Sequence, residues 1–260
     1  MIKINPIAAP GILQKKGHQW RDALCAARQD YYQQLADFEA GNIAQKPVHP
    51  SADKKKYAHK QVKTYLQRMF GQKCAYCESL VTAVAYQHVE HFRPQSIYPY
   101  LAYEWYNLLL ACEVCNSGHK GNQFPLMDAS QPEENRSNPC ARDGNDANAL
   151  VNPCFDNPED FFDFDDEWLL CRNNNLRAQY TRDVCGLNRD DLRDARRMVL
   201  DPITAVAEYL LLLVKNRQQN ADRIRNLATR IQKYTESSSP YSAMVSSKLR
   251  SLGINLAELL

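Results

Sequence analysis

The chain has 260 residues, of which 44% are hydrophobic and 24% are charged, and its formal net charge is +2. These values are ordinary for a soluble globular protein and leave room for one large domain or two modest ones. The sequence has no apolar run near 18 residues and no N-terminal segment typical of a signal peptide. It therefore argues against a membrane span and predicts a cytoplasmic location.

The small net charge conceals an uneven distribution along the chain. Residues 1–125 carry 15 Lys/Arg against 9 Asp/Glu, residues 126–170 carry 2 against 12, and residues 171–260 carry 15 against 9. Two basic blocks around an acidic one suit a protein that binds a polyanion and has a separate acidic contact surface. Solvated faces of helices and hairpins would explain the same pattern.

Two helices are predicted before the first cysteine pair. Apolar residues recur every three or four positions over residues 18–40, and a second helix is expected from Ser51, a suitable N-cap, to Phe70. Five lysines crowd the second helix: Lys54, Lys55, Lys56, Lys60 and Lys63. They form either a solvated helix face or a contact surface for nucleic-acid phosphates.

The central segment contains two cysteine pairs with the same spacing, Cys74-x-x-Cys77 and Cys112-x-x-Cys115. A two-residue spacer lets both sulfurs of a pair reach one metal ion, so the two pairs predict one tetrahedral zinc. Because sulfur fills all four positions, we expect this zinc to be structural.

The residues between these pairs predict a small strand–loop–strand–helix unit. Residues 80–91 have the composition of a strand, residues 107–111 form a short apolar strand, and a helix is expected to begin near Cys115. The polar residues held in this unit are where catalysis is expected.

Four polar residues of the unit have the chemistry of a phosphodiesterase site. His91 can activate water, because the unperturbed pKa of histidine lies near working pH. Glu90 and Asn116 offer the hard oxygen ligands that suit Mg²⁺. Asn107 can hydrogen-bond the backbone of the intervening loop and hold the histidine. The sequence therefore predicts a metal-dependent nuclease site.

Further residues near the site are assigned from their side chains. Arg93 and Lys120 are natural clamps for a phosphate group. His119 is a rival to Asn116 as second metal ligand, and Asn116 is preferred because its place beside Cys115 is fixed by the zinc. Three aromatic residues are interpreted as packing rather than base-stacking residues: Tyr103, Trp105 and Tyr106.

The rest of the chain predicts a long surface loop over residues 128–150, a strand or hairpin within residues 150–170, and helices from Asn188 onward. The acidic run over residues 156–167 is interpreted as the exposed side of the hairpin or as a partner-binding surface. Arginines that follow Asn188 either bind nucleic acid or pair with neighbouring aspartates. The other cysteines are interpreted mainly as buried thiols rather than disulfides: Cys25, Cys140, Cys154, Cys171 and Cys185.

These motifs resemble the HNH nucleases, whose fold is the ββα-metal motif. The resemblance rests on Cys74-Ala-Tyr-Cys77, Val89-Glu-His-Phe-Arg-Pro94, Trp105-Tyr-Asn-Leu-Leu-Leu-Ala-Cys112, Glu113-Val-Cys115-Asn116, Lys120-Gly121 and Phe124-Pro125-Leu126. It is dense over residues 73–127, moderate to about residue 200 and thin at both ends. More closely, the chain resembles the PtuB family, the HNH subunits of Septu anti-phage systems, which also occur beside retrons.

The resemblance implies roles for particular residues and a set of partners. His91 would be the general base, Glu90 and Asn116 would bind Mg²⁺, Asn107 would orient the loop, and the four paired cysteines would bind structural zinc. Asn116 stands where the usual signature has histidine and still offers an oxygen. The implied partners are the Septu ATPase PtuA in a hetero-oligomer, a DNA or RNA substrate such as tRNA, and in some systems a retron reverse transcriptase with its msDNA.

We therefore predict an α+β, mainly helical fold, with a ββα-metal core and a structural zinc flanked by N-terminal and C-terminal helices. The predicted regions are an N-terminal helical region (1–72), the zinc-stabilised nuclease core (73–127), an acidic loop and hairpin region (128–187) and a C-terminal helical region (188–260). Two alternatives stay open: an inactive zinc-stabilised module that binds nucleic acid or serves as an adaptor, and a stand-alone restriction endonuclease of the McrA-like type. The enzyme is favoured because an inactive module has no need to keep the base, both oxygen ligands and the ordering asparagine together.

Overall fold

The N-terminal region of the protein is helical. The computed structural model describes residues 1–81, 87–141 and 147–260. Helix α1 spans Gly11–Glu39, seven residues longer at its start than expected, because the extended Pro10 precedes it and Leu13 is already buried. The predicted single second helix is wrong, because a break at residues 58–59 divides it. Helix α2 (Lys54–Tyr57) begins after Asp53, and helix α3 (Lys60–Met69) begins after His59.

The catalytic core expected from the sequence is built from one antiparallel strand pair and one helix. Strand β1 (Gln87–His91) pairs with strand β2 (Leu108–Cys112), and every residue of β2 is buried. A π-helix at Val114–Lys120 follows at once, as expected near Cys115. The expected strand over residues 80–91 is confirmed from residue 87, and residues 82–86 lie outside the described part of the chain.

A second antiparallel pair and four helices form the C-terminal half. Strands β3 (Phe162–Asp165) and β4 (Trp168–Cys171) make the hairpin expected within residues 150–170. The next helix, α4 (Leu176–Val184), was missed, because polar residues outnumber apolar ones along it. The expected C-terminal helices are confirmed: α5 (Asp190–Val214), α6 (Arg217–Thr235) and α7 (Ser242–Ser251).

One contiguous hydrophobic core joins the two halves, so the predicted division into four regions stays a prediction. Strand β2 lies inside this core, and α3 packs against it; α7 packs against β3, and α5 lies against α6. Buried side chains on both sides of β2 explain its unbroken Leu108–Ala111 run. The fold is α+β and mainly helical, as predicted.

The expected loop over residues 128–150 has neither helix nor strand in its described parts, 128–141 and 147–150. It is attached to α1 by a disulfide between Cys25 and Cys140. The expectation of buried thiols is therefore wrong for these two cysteines, whose separation of 115 residues offers no local spacing signal. None of the described helices is long and apolar enough to cross a membrane.

Candidate metal centres and active-site cleft

The four paired cysteines come together in one buried cluster. Their sulfurs all lie within 4.8 Å of one another, and the Sγ atoms of Cys77 and Cys112 are 3.9 Å apart. Four Zn–S bonds of about 2.3 Å in a tetrahedron place the sulfurs about 3.8 Å apart, so the cluster has about the size that a tetrahedral zinc requires. The first pair is shaped by a tight turn, in which Glu78 N donates to Cys74 O at 3.1 Å.

Two charged contacts attach this cluster to the C-terminal helices. Arg189, directly before α5, donates from Nη1 to Cys115 Sγ at 3.5 Å. On the other side, Lys73 Nζ lies 3.1 Å from Glu78 Oε2, which also accepts a hydrogen bond from Ser242 Oγ in α7 at 3.1 Å. Burial alone would raise the pKa of Glu78, but the charges of the Met1 amino group and Lys73 outweigh it and lower that pKa to about 2.

A cleft of about 330 Å³ lies beside the cluster and contains three of the predicted site residues: Glu90, His91 and Asn116. Glu90 and His91 end strand β1, and Asn116 lies in the first turn of the π-helix. The ββα arrangement therefore brings a carboxylate, an imidazole and an amide to one opening. Tyr57 and Gln95 also line it.

His91 is held as a neutral imidazole, and one of its two ring nitrogens bonds to the backbone. Its Nε2 donates to Ala102 O at 2.9 Å, and its ring lies edge-on to Tyr57 with centroids 4.6 Å apart. Burial lowers the pKa of His91 to about 4, the charge of Lys120 acts in the same direction, and the bond to Ala102 opposes them. With Nε2 protonated, Nδ1 carries the lone pair that can accept a proton.

Asn107 closes the loop that connects β1 to β2. Its Oδ1 accepts from Arg93 N at 2.8 Å, and its Nδ2 donates to Arg93 O at 3.0 Å and to Leu101 O at 3.1 Å. These are the loop hydrogen bonds expected from the sequence. Ala102, which follows Leu101, accepts the hydrogen bond from His91. The orienting role of Asn107 in a reaction stays a prediction.

Glu90 lies against a buried lysine. Lys120 Nζ is 2.6 Å from Glu90 Oε1 and donates to His91 O at 3.1 Å, and the side chain of Lys120 is fully buried. Tyr76 also donates to Glu90 Oε1, at 3.3 Å. Lys120 thus contacts the two site residues of β1, whereas a phosphate clamp would face the solvent.

Asn116 and its rival His119 face different surroundings. Asn116 Nδ2 donates to His88 Nδ1 at 3.2 Å, an arrangement that leaves the amide oxygen for another partner. The ring of His119 packs on Gly186, where an added Cβ would lie 2.4 Å from its Nδ1. Because His119 does not line the cleft, the geometry favours Asn116 as the second oxygen ligand.

Arg93, the other predicted phosphate clamp, stacks between two rings. Its guanidinium carbon lies 5.1 Å from the centroid of Tyr98 and 5.0 Å from that of Phe124. It borders a different, larger cavity of about 510 Å³. Of the three aromatic residues interpreted as packing, Tyr103 and Trp105 are buried, but Tyr106 is 54% exposed.

Sequence reasoning missed three groups that shape the cleft. The Ala102 carbonyl and the Tyr57 ring fix His91, and neither has a motif of its own. Arg28 in α1 is 1% exposed, donates to the carbonyls of Gln95 and Ser96 at 3.3 Å each, and pairs with Glu134. Its one sequence signal is its place on the buried face of α1, four residues after Leu24.

The arginines after Asn188 contact neighbouring aspartates of α5 or the acidic hairpin. Arg197 contacts Glu167 at 2.7 Å, and Arg193 contacts Asp190 one turn earlier. The guanidinium of Arg196 is buried and donates to the carbonyls of Glu167 and Leu187. Intramolecular pairing therefore accounts for these charges.

Comparison with known proteins agrees with this geometry. The HNH endonuclease family matches residues 74–122, which contain the four cysteines and Glu90, His91 and Asn116. Septu protein PtuB from Bacillus mycoides (strain KBAB4) is 32% identical over 161 residues, 56% of this chain and 53% of that protein. Septu protein PtuB from Bacillus thuringiensis is 29% identical over 197 residues, 72% of this chain and 68% of that protein.

A third relative bears a different name. Septu protein PtuA from Bacillus mycoides (strain KBAB4) is 26% identical over 148 residues, 52% of this chain and 20% of that protein. No solved structure matches the chain. The chain thus spans about half the length of the first PtuB relative. The chain contains an HNH endonuclease domain in an α+β, mainly helical fold, and it is similar to the Septu PtuB proteins over more than half of its length.

Proposed function

We propose that the protein is a metal-dependent endonuclease that hydrolyses phosphodiester bonds of DNA or RNA. The observation that carries this proposal is the cleft of about 330 Å³ in which the described structure gathers Glu90, His91 and Asn116. A base, a carboxylate and an amide oxygen at one solvent-facing opening are what a single-metal nuclease requires. The match of residues 74–122 to the HNH endonucleases supports it.

His91 is the proposed general base. Its Nε2–H is engaged by the Ala102 carbonyl, so the Nδ1 lone pair takes the proton from the attacking water. A pKa lowered to about 4, mainly by burial, keeps the ring neutral at physiological pH. Asn107 acts indirectly, because its three hydrogen bonds hold the loop that carries the Ala102 carbonyl.

Glu90 and Asn116 are the proposed ligands of Mg²⁺ or a similar divalent cation. Carboxylate and amide oxygens are the ligands that such hard cations prefer. When bound, the cation would stabilise negative charge on the phosphate and the leaving oxygen. The four cysteines are proposed to bind zinc, which would hold β2 and the π-helix in the relation that the cleft needs.

The similarity to PtuB and PtuA proteins supports a place in a Septu-type anti-phage complex. We propose that this chain is the nuclease subunit and that a PtuA ATPase is its partner. An association with a retron reverse transcriptase and its msDNA stays a prediction.

The test is cleavage of DNA and of total tRNA with Mg²⁺ added or omitted, with and without PtuA. His91→Ala should abolish cleavage while the zinc content and circular dichroism spectrum stay unchanged. His18→Ala, a substitution of an exposed histidine in α1, is the matched control. Cleavage that survives His91→Ala would contradict the mechanism. Full activity without PtuA would favour the McrA-like alternative.

One observation favours a second candidate function, an inactive zinc-stabilised module that binds nucleic acid or an adaptor. Lys120 Nζ lies 2.6 Å from Glu90 Oε1, where it competes with any cation for that oxygen. In an active enzyme this lysine must release Glu90 or share it. Binding of DNA or RNA without cleavage of either, under every condition of the assay, would support the inactive module.

A further inference from the structure

The cavity of about 510 Å³ forms a groove next to the active-site loop. Its lining includes Phe92, Arg93 and Asn107, together with the exposed Tyr106 and Phe155. Because Arg93 is two residues from His91, their Cα atoms lie within about 7.6 Å of each other. The groove and the cleft are therefore lined by neighbouring residues of the same loop.

Two exposed aromatic rings mark this groove. Phe155 is 62% exposed and Tyr106 is 54% exposed, and their ring centroids are 6.2 Å apart. Large rings that face the solvent together within a concavity are characteristic of a binding surface rather than of a core. We define this feature, with Arg93, as the Tyr106–Phe155 groove.

Both rings are held by rigid backbone. Tyr106 lies in a single 3₁₀ turn, Trp105–Asn107, whose other two side chains are buried. Phe155 follows a turn in which its N–H donates to Asn152 O at 3.0 Å. A ligand that stacks on these rings would therefore find them largely in position, which lowers the entropy cost of binding.

The carboxylates around the groove are offset by arginines. Asp156 lies 2.6 Å from Arg177, and Glu104 lies 3.6 Å from Arg21. Arg93 also lines the groove, where its guanidinium stacks between Tyr98 and Phe124. A phosphate backbone that passes the groove would thus meet carboxylates whose negative charge is compensated.

We propose that the Tyr106–Phe155 groove binds an unpaired nucleobase of the nucleic-acid substrate, by stacking on one or both rings. The proposal rests on the proposed nuclease function and assigns the substrate a single-stranded or splayed segment beside the scissile phosphate. Stacking on aromatic side chains contributes about 1–3 kcal/mol per base and tolerates every base, because all have a π face. The groove therefore reads strandedness rather than sequence. A protein segment is the competing occupant.

The test is equilibrium binding of a single-stranded oligonucleotide that carries 2-aminopurine, in DNA and RNA versions, to the His91→Ala protein without added Mg²⁺. Phe155→Ala and Tyr106→Ala should each weaken binding about 5-fold or more and reduce the quenching of 2-aminopurine. Tyr106→Phe should restore both. Tyr234→Ala in α6 is the matched control, because Tyr234 is 45% exposed and far along the chain from the groove. An oligonucleotide of abasic sites should bind the His91→Ala parent and its groove variants with the same, weaker affinity, because it has no base to stack.

Equal affinity of Phe155→Ala, Tyr106→Ala and the parent for the 2-aminopurine strand would overturn the proposal, as would failure of the parent to bind any single strand. If the parent bound the abasic strand as tightly as the 2-aminopurine strand, phosphates alone would account for binding, and the proposal would be overturned too. The nuclease proposal fails separately, if wild-type protein with Mg²⁺ and PtuA cleaves nothing or if His91→Ala cleaves normally. If the wild-type protein cleaves nucleic acid but the groove variants bind single strands with unchanged affinity, the groove proposal is wrong and the nuclease proposal stands.

Discussion

The two antiparallel strand pairs in the described part of the chain differ in what stabilises them. Both end in a cysteine, Cys112 in β2 and Cys171 in β4. β2 is buried along its whole length and is connected to β1 by residues 92–107. β3 and β4 are joined by two residues, and each has one buried residue, with the others partly or largely exposed. The first pair is built into the core, and the second lies at its surface.

An isolated two-stranded hairpin is marginally stable, so each pair needs outside support. The first is supported by a sulfur cluster, the Asn107 hydrogen bonds and a buried ion pair. The second is supported by ion pairs near the solvent, such as that between Asp163 and Arg172 at 2.7 Å. The β1–β2 pair therefore depends on a few buried polar contacts, and the loss of any of them should lower the stability of the fold.

The largest difference should come from the two strand-end cysteines. Cys112→Ser removes a proposed zinc ligand, and structural zinc contributes about 10–16 kcal/mol of apparent binding free energy in small zinc domains. We expect loss of zinc and of cooperative unfolding near the core. Cys171→Ser, its matched control outside the cluster, should keep the zinc. Metal content and thermal melts measure both, and equal melting of the two variants would contradict the zinc assignment.

The next difference should come from two asparagines that each hold one pair. Asn188 clamps Leu169 in β4 through hydrogen bonds of 2.9 Å to its N–H and its carbonyl, as Asn107 clamps Arg93. Each alanine variant should lose about 1–3 kcal/mol of unfolding free energy. Asn107→Ala alone should lower the cleavage rate about 100-fold, because a small displacement of catalytic groups is expensive.

Urea unfolding and single-turnover cleavage separate these effects. If Asn188→Ala slows cleavage as much as Asn107→Ala does, then loop orientation is not what Asn107 provides.

A smaller difference in stability should separate two glycines, and it tests whether α4 and the π-helix are coupled. Gly186 and Gly253 each follow a helix with positive φ, +59° and +70°, but an added Cβ would strike the His119 ring only at Gly186. Gly253→Ala should cost about 1 kcal/mol, from its left-handed backbone. Gly186→Ala should cost about 2–3 kcal/mol because the ring must also move.

Chemical denaturation gives the energies, and the imidazole NMR signals of His119 report the displacement. Equal costs with unmoved signals would show that α4 and the π-helix are independent.

The smallest effect is expected at the surface of the second pair. Burial would raise the pKa of Asp163, but hydrogen bonds from Ser247 and Phe164 and the charges of two arginines outweigh it and lower that pKa. Because the folded-state pKa lies below the unfolded value of 3.8, the carboxylate stabilises the fold above that pH and the contribution is lost as the pH falls through the folded-state pKa.

Asp163→Asn should therefore cost less than about 1 kcal/mol at pH 7, and the difference from wild type should shrink at pH 3. Paired urea titrations at the two pH values check this. A difference that persists at pH 3 would mean that the amide disturbs packing rather than charge.

The sequence was most informative where residues act through spacing. Two cysteine pairs with the same spacing predicted the sulfur cluster. A helix was expected to begin near Cys115, where the π-helix begins. Asn107 was identified because its side chain can hydrogen-bond the backbone of the loop between it and His91. In each case the signal is local and the chemistry admits few alternatives.

Contacts made by backbone atoms or across long separations had no such signal. The Ala102 carbonyl that holds His91 is invisible in a side-chain pattern, and the Cys25–Cys140 disulfide joins residues 115 apart. The pairing of Lys120 with Glu90 had no sequence signal, because burial of a lysine depends on tertiary packing. Helix α4 was missed since its polar residues mask the few that pack.

Arg189 would couple zinc binding by the cysteine cluster to the position of α5. Four thiolates around Zn²⁺ carry a net charge of −2, and the guanidinium that donates to Cys115 Sγ offsets part of it. Linkage is reciprocal, so any gain in zinc affinity from this contact equals the gain in stability that zinc gives to the seating of α5. The affinity for zinc would therefore report on a helix that supplies none of the ligands.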